Sequence, residues 1–255
     1  MLILLPPSET KRVGGDGPSW RADALSFPGL RAERDRVVDA LITLSADEDA
    51  AARVLKLSER QRPEIAVNAA LRTSPTLPAV DRYTGVLFDA LDAPSLDSPA
   101  RQWLSSHVAI HSAPFGIVRA LDPLPAYRLG AGIRVPGLPS TRSIWADAVG
   151  DAIAAASPSF VLDLRSEAYV ALGPVPSGIP QAYVRVVAEA PGGAVRALNH
   201  FNKHAKGELV RRLALTRPDA TDAAALMRWA QDEKIVLRPS AAAGEWELVV
   251  PAVTR

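Results

Sequence analysis

Apolar positions along this chain follow two rhythms, one close to period 3.6 and one of alternating or unbroken apolar runs. "MLILL" at the start is closed at once by Pro6-Pro7, so it predicts a short buried strand rather than a leader segment, because it has no basic start. The Gly-, Pro- and Ser-rich stretch "PPSETKRVGGDGPSW" that follows is a loop long enough to suggest function. Helical spacing then runs from about Ala32 to Leu44, and a second helix starts at "SADE", with Ser45 as cap and Glu48 closing a capping box. "RQRPEIAVNAALR", "DRYTGVLFDAL" and "SPARQWLSS" read as further helices, the last with Ser98 as N-cap and Pro99 at its first position.

Strand patterns dominate later. "VAIHS", "YRLGAGIRV", "FVLDL", "QAYVRVVAE", "AVRALN", "KIVLR" and "WELVV" are β-branched or alternating, with "STRSIWADAVGDAIAAA" and "DATDAAALMRWAQDE" as helices among them. Some neighbours are close enough for hairpins, notably through Pro191-Gly192-Gly193, and others need crossovers. This mixture predicts an α/β fold: one domain over 1–255, with a mixed sheet flanked by helices.

Composition narrows the chemistry. The 255 residues are 48% hydrophobic, enough for a sizeable core, and carry a formal net charge of only +1. There is no cysteine and there are two methionines, so disulfides and peroxide scavenging by a thiol are excluded. No run approaches the roughly 18 apolar residues of a membrane span. The expected setting is cytoplasmic, with no membrane partner. A near-neutral chain must also draw any polyanion binding from a local patch.

One such patch is "LNHFNKHAKGELVRRLAL" at 198–215. On a helix, Phe201, Ala205, Leu209 and Leu213 share one side, and Lys203, Lys206, Gly207, Val210 and Arg211 the other. Glycine inside a helix costs about 1 kcal/mol relative to alanine and exposes bare backbone. Two lysines beside that gap suit a phosphate or another anion. The alternative is an ordinary solvated helix face.

Several blocks resemble one known family. "MLILLPPSETK", "YTGV" (83–86), "APFGIVRALDPLPAYRLGAGIRV" (113–135), "IWADAV" (144–149), "DLRSEAYVAL" (163–172) and "HFNKHAKGELVRRLA" (200–214) are similar to the successive signature blocks of the YaaA family of peroxide stress proteins, and the start resembles its actinobacterial branch. The resemblance implies a cytosolic single-domain α/β protein with a positively charged cleft and a helix-hairpin-helix element. It also implies DNA binding and protection from peroxide, in part by holding down free iron. Residue by residue, it places Lys203, Lys206 and Gly207 in a "KKARG"-like block, with Lys206 where that block has arginine. Tyr127, Arg128 and Arg134 fall in a "PYRLxxGIR" block, and Lys11 matches an early lysine. Asp163-Leu164-Arg165-Ser166 departs from the enterobacterial "NLAS", exchanging an amide for a carboxylate and adding a charge. The glycines of "LGAGIRVPG" (129–137) sit in β-type sequence and do not make the hairpin motif.

Other chemistry is sparser. His107/His111 and His200/His204 stand four apart. The first pair reads as strand, which separates its members by about 13 Å, and the second lacks a third ligand, so no metal site and no cofactor is expected. "VGGDG" lacks the P-loop pattern and reads as a turn. "SEAY" follows the strand "FVLDL", where α/β proteins commonly present ligand contacts. Asp163, Ser166, Glu167 and Tyr169 are therefore candidate acid-base groups, although Ser166 also suits a helix cap and Asp163 an ion pair with Arg165.

Two functions stay open. In one, a YaaA-like stress protein binds duplex or branched DNA through Lys11, Arg128, Arg134, Lys203, Lys206 and Arg211. In the other, an enzyme acts on a small anionic or nucleotide-like molecule in the same cleft. Oligomeric state is not legible.

Overall fold

The computed structural model describes residues 1–189, 195–197 and 201–251. Strand β1 (Leu2–Leu5) leads into the long loop and then α1 (Arg31–Ser45), α2 (Glu48–Leu55) and α3 (Glu64–Ala69). Next come β2 (Leu77–Pro78), α4 (Ala79–Arg82), α5 (Val86–Leu91) and α6 (Ser98–His107). The middle holds β3 (Val108–Ser112), β4 (Gly116–Arg119), β5 (Pro123–Leu124), α7 (Thr141–Ala155), β6 (Val161–Asp163) and α8 (Glu167–Leu172). The last third holds β7 (Gln181–Glu189), β8 (Val195–Ala197), α9 (Phe201–Thr216), α10 (Ala223–Asp232), β9 (Val236–Pro239) and β10 (Glu245–Pro251).

The expected mixed α/β architecture is present. The main sheet runs β4-β3-β1-β6-β7-β10-β9, with β8 attached to β7, and β2 pairs with β5 separately. β3, β1, β6, β7 and β10 are parallel, while β4, β8 and β9 pair antiparallel to their neighbours. β1 sits inside this run and is buried at all four positions, which is why "LILL" shows no alternation.

Winding direction reverses at β1. The chain goes outward to β3 and β4, then returns to place β6 on the other flank of β1. That leaves a crevice beyond the carboxyl ends of β1 and β6, where parallel α/β sheets bind ligands. The sheet is also staggered. Asp163 at the end of β6 is level with Tyr183 near the start of β7, and β7 and β10 run on together to Glu189 and Pro251. Their extension walls one side of the crevice.

Several local expectations are corrected. Asp47 rather than Ser45 caps α2, its carboxylate accepting from Ala50 N at 2.9 Å; Ser45 instead ends α1. Asp97 rather than Ser98 caps α6, accepting from Ala100 N at 2.8 Å. The 81–91 segment is two short helices parted at Tyr83–Gly85, with Gly85 at φ 97°. "YRLGAGIRV" is not a strand: beyond β5 it is irregular backbone. Its register is held by buried Asn68, whose side chain donates to Arg128 O and accepts from Arg128 N, both at 2.8 Å. β7 and β8 form the expected hairpin pairing, but its turn at Pro191-Gly192-Gly193 and His200 lie outside the described residues. Among the described residues no helix is long and apolar enough to cross a membrane.

Candidate functional site

The loop after β1 is strapped across the crevice. Arg12 N donates to Arg82 O at 2.9 Å, Thr84 N to Thr10 O at 3.2 Å, and Lys11 bridges to Tyr83. Arg82, itself fully buried, returns its guanidinium to Arg12 O at 2.5 Å, Leu124 O at 2.9 Å and Pro75 O at 3.1 Å. These bonds fix where the Lys11 side chain goes. Its Nζ donates to Ser8 O and Glu9 O, each at 3.0 Å, and lies 4.0 Å from the Tyr127 ring centroid and 5.7 Å from that of Tyr83.

That amine is half-buried, and burial first, then the Arg128 guanidinium, pull its pKa down to about 7; the Glu9 and Glu64 carboxylates oppose the shift and Arg82 adds to it. Arg128 lies 3.6 Å from Glu9 and 3.5 Å from Glu64. A cavity of 460 Å³ opens here, lined among others by Ser8, Lys11, Lys56, Arg128, Ile133 and Tyr169. A second, of 310 Å³, shares Glu9, Lys11 and Arg128 and reaches Glu64 and Tyr127. Lys56 and Arg128, joined by Lys11 when it is protonated, line the larger of these two cavities against the single carboxylate of Glu9, which favours an anionic occupant.

Behind Lys11 stands a group of hydroxyls. Tyr83 and Tyr127 are buried with their oxygens 2.8 Å apart, beside Ser112 at the end of β3. Burial raises the pKa of each, as it does for Tyr169, so all three stay protonated through neutrality. Tyr169 packs edge-on against His111 at 5.5 Å.

His111 joins this group to the end of β6. Arg165 is fully buried and grips Asp163 with two bonds, Nε to Oδ1 at 2.9 Å and Nη2 to Oδ2 at 2.6 Å. Its Nη1 donates to His111 Nδ1 at 2.9 Å and to Gly173 O at 2.8 Å. A guanidinium only donates, so Nδ1 accepts and the ring proton sits on Nε2, which has no partner among the described residues. Burial and then the Arg165 charge hold the His111 pKa well down, so the ring is neutral. Asp163 is therefore an ion-pair partner in this structure, the second of the two roles its sequence position suggested. Ser166 stands at the N-cap of α8 without a side-chain cap bond, and Glu167 is exposed and paired to Arg185 at 3.0 Å.

Helix α9 differs most from its sequence pattern. It is buried on two sides, against α5 and α6 and against β7, so Lys206 and Gly207 are interior along with Leu209, Val210 and Leu213. The expected bare backbone at Gly207 is filled by α5: a Cβ there would stand 2.2 Å from Leu87 O and 2.8 Å from Ala90 Cβ. The close approach that the glycine permits is by a helix of the same chain.

Lys206 is 4% exposed, with Nζ 5.5 Å from the Tyr183 ring centroid; burial lowers its pKa to about 8, with Asp163 opposing and Arg185 adding. Arg211 donates to Leu91 O at 2.9 Å and Asp92 O at 3.0 Å, closing the end of α5. Of the charged side chains on that face, only Lys203 is exposed and unpaired among the described residues.

The crevice thus gathers Lys11, Tyr127, Arg128 and Tyr169, with Asp163 behind them and Lys206 toward the β7 side. Arg134 is exposed one residue beyond the lining residue Ile133. Tyr83, His111, Ser112 and Tyr183 belong to the same end of the sheet; Tyr83 lies in the "YTGV" block and His111 enters the sequence reading only as a metal-ligand candidate, and none of the four is expected at this site from sequence. All four tyrosines of the chain collect there. The histidine pair does not converge: His107 ends α6 stacked on Trp103 at 4.3 Å, and His111 lies within β3. A larger cavity of 920 Å³, between α5, α9, β9 and β10, is lined by Leu209, Leu215 and Val236 and by Arg211, Arg212 and Lys234 against the carboxylates of Asp89, Asp92, Glu208 and Glu233, a balance that does not favour an anion.

Comparison with known proteins agrees with the resemblance carried by the sequence blocks. A family model described as "Peroxide stress protein YaaA" matches residues 1–234. A UPF0246 protein of Corynebacterium glutamicum is 43% identical over 241 residues, covering 93% of this chain and 94% of that one. UPF0246 proteins of Corynebacterium efficiens (44% identical, 88% and 89% covered) and Streptomyces coelicolor (41%, 85% and 84%) are similar over nearly as much.

Proposed function

We propose that this chain, which belongs to the YaaA family of peroxide stress proteins, binds DNA phosphates at the basic rim of the β1/β6 crevice. Protection against peroxide is then indirect, through occupied DNA and restrained free iron, because a chain without cysteine has no thiol to oxidise.

The observation that carries this reading is the rim itself. Lys56 and Arg128 line the 460 Å³ cavity, and exposed Arg12 and Arg134 adjoin its lining residues Lys11 and Ile133. Arg12, Lys56 and Arg134 have no hydrogen bond or ion pair from their side chains among the described residues, unlike Arg62, Arg72, Arg101, Arg185 and Arg212, which are all ion-paired. Lys203 adds an unpaired charge at the start of α9. Contacts of this kind read backbone charge rather than sequence. Arg211, tied to the end of α5, is not part of the rim.

Fluorescence anisotropy with duplex, branched and single-stranded DNA across a salt series tests the proposal. The affinity should fall as salt rises, with a log-log slope of about 0.9 per neutralised phosphate on duplex DNA. A folded protein with no affinity for any of the three, or with affinity indifferent to salt, would remove it.

A further inference from the structure

Five lysines stand against 24 arginines in this chain. Lys56, Lys203 and Lys234 are exposed. Lys11 and Lys206 are withdrawn at the carboxyl edge of the sheet, each facing tyrosine. A guanidinium would serve charge alone and cannot shed its proton, whereas an amine can do so and then attack carbon.

Lys11 has the surroundings of a reactive amine. It opens on a cavity at the β1/β6 switch point. Two of its tetrahedral positions are spent on Ser8 O and Glu9 O, and one is left for a proton or a bond to carbon. The charged groups around it are Glu9, Glu64, Arg82 and Arg128, and the titratable rings are Tyr83 and Tyr127. Desolvation beside another cation is a recognised route to a nucleophilic lysine. Arg128 stands at the same cavity, held by two loose ion pairs, and one of these, to the exposed Glu9, is replaceable by an incoming anion.

We propose that Lys11 captures a small aldehyde or ketone carrying a carboxylate or phosphate as an imine, with Arg128 holding the anionic group. The neutral Nζ adds to the carbonyl carbon, forming a C–N bond while the carbonyl oxygen takes a proton from the amine. That hydroxyl then leaves as water with the second amine proton, and the C=N bond forms; no oxidant or reductant enters. Addition of water reverses both steps. The site goes beyond phosphate binding at the rim and stands or falls independently of it.

Glyoxylate and formaldehyde, each with cyanoborohydride, are suitable probes, with adducts mapped by peptide mass spectrometry at pH 7.5. At that pH an ordinary exposed lysine is about 0.1% neutral, whereas Lys11 is largely so. Carboxymethylation by glyoxylate should occur at Lys11 at least about tenfold faster than at Lys56, Lys203 and Lys234. Arg128→Gln should slow the glyoxylate reaction at Lys11 several-fold more than the formaldehyde reaction there, which falls only as far as loss of the neighbouring cation raises the Lys11 pKa. The rate ranking uses the wild-type protein, so it holds even if a variant folds poorly. Lys11 reacting no faster than the exposed lysines would overturn the proposal. Equal effects of Arg128→Gln on both probes would overturn the anionic-substrate half.

Discussion

Replacing Gly207 by alanine separates two explanations of a glycine inside a basic helix. If the glycine leaves backbone open to an anion, alanine fills empty space and the helix gains about 1 kcal/mol of propensity. The structure argues the reverse. The added Cβ would stand 2.2 Å from Leu87 O, about 1 Å inside contact, and 2.8 Å from Ala90 Cβ. Backbone on α5 cannot rotate away as a flexible side chain would. The two helices must part, loosening Leu87, Leu91 and Val210, which are buried to 3% exposure or less. Overpacking of this kind typically costs 1–3 kcal/mol and occasionally more. The propensity gain offsets about 1 of these, and the backbone clash favours the upper end, so a net loss of about 1–2 kcal/mol is expected. In a domain of this size that lowers the melting temperature by roughly 2–8 °C. Circular dichroism melts in phosphate-free buffer measure it. A variant as stable as the parent, or more so, would refute the packing argument.

Other consequences are equally checkable. Asp163→Asn strips the fully buried Arg165 of its counter-charge and should cost about 3–5 kcal/mol in urea unfolding. Arg211→Ala should lose roughly 1–3 kcal/mol by uncapping α5 while leaving DNA affinity unchanged; a stable variant with weakened binding would contradict that assignment. The pH dependence has a definite sign. Lys11 and Lys206 titrate near 7 and 8 in the fold, below the ordinary lysine value of 10.5, so between those limits the unfolded chain holds more protons. Their contribution to stability rises with pH across that window and is at its lowest below pH 7. Lys11→Met should flatten that rise, and an unaltered slope would speak against a desolvated amine.

Much of the fold is legible because several helices bury a single face and the central strands, buried on both, are near-unbroken apolar runs. "LILL", "FVLDL" and "QAYVRVVAE" are strands where their runs predict, and α1, α7 and α10 follow their periodicity to within a few residues. α9 defeats the same reasoning because it is wedged between α5 and β7 and buries opposite sides. Segregation of its charges then says little about which side meets water, and Lys206 goes inward. The alternation in 127–135 misleads for another reason: that backbone is bonded by the Asn68 side chain instead of a neighbouring strand. Caps shift to Asp47 and Asp97 because a carboxylate stood near each predicted serine and made the bond. At the site, Lys11, Tyr127 and Arg128 were reachable through sequence blocks. Tyr83 lies in the "YTGV" block without being singled out there, and His111 and Ser112 were out of reach as partners of the site, since they join it only when β3 and β6 pair with β1 from positions more than 100 residues away.

The most direct test of the proposed phosphate rim compares salt titrations of duplex binding by the parent protein and by Lys56→Ala/Arg134→Ala. Both side chains are exposed and unpaired among the described residues, so the fold should survive. The proposal predicts weaker binding and a log-log salt slope shallower by about 2. An unchanged affinity and slope would place any DNA contact elsewhere on the molecule and contradict the rim as its site.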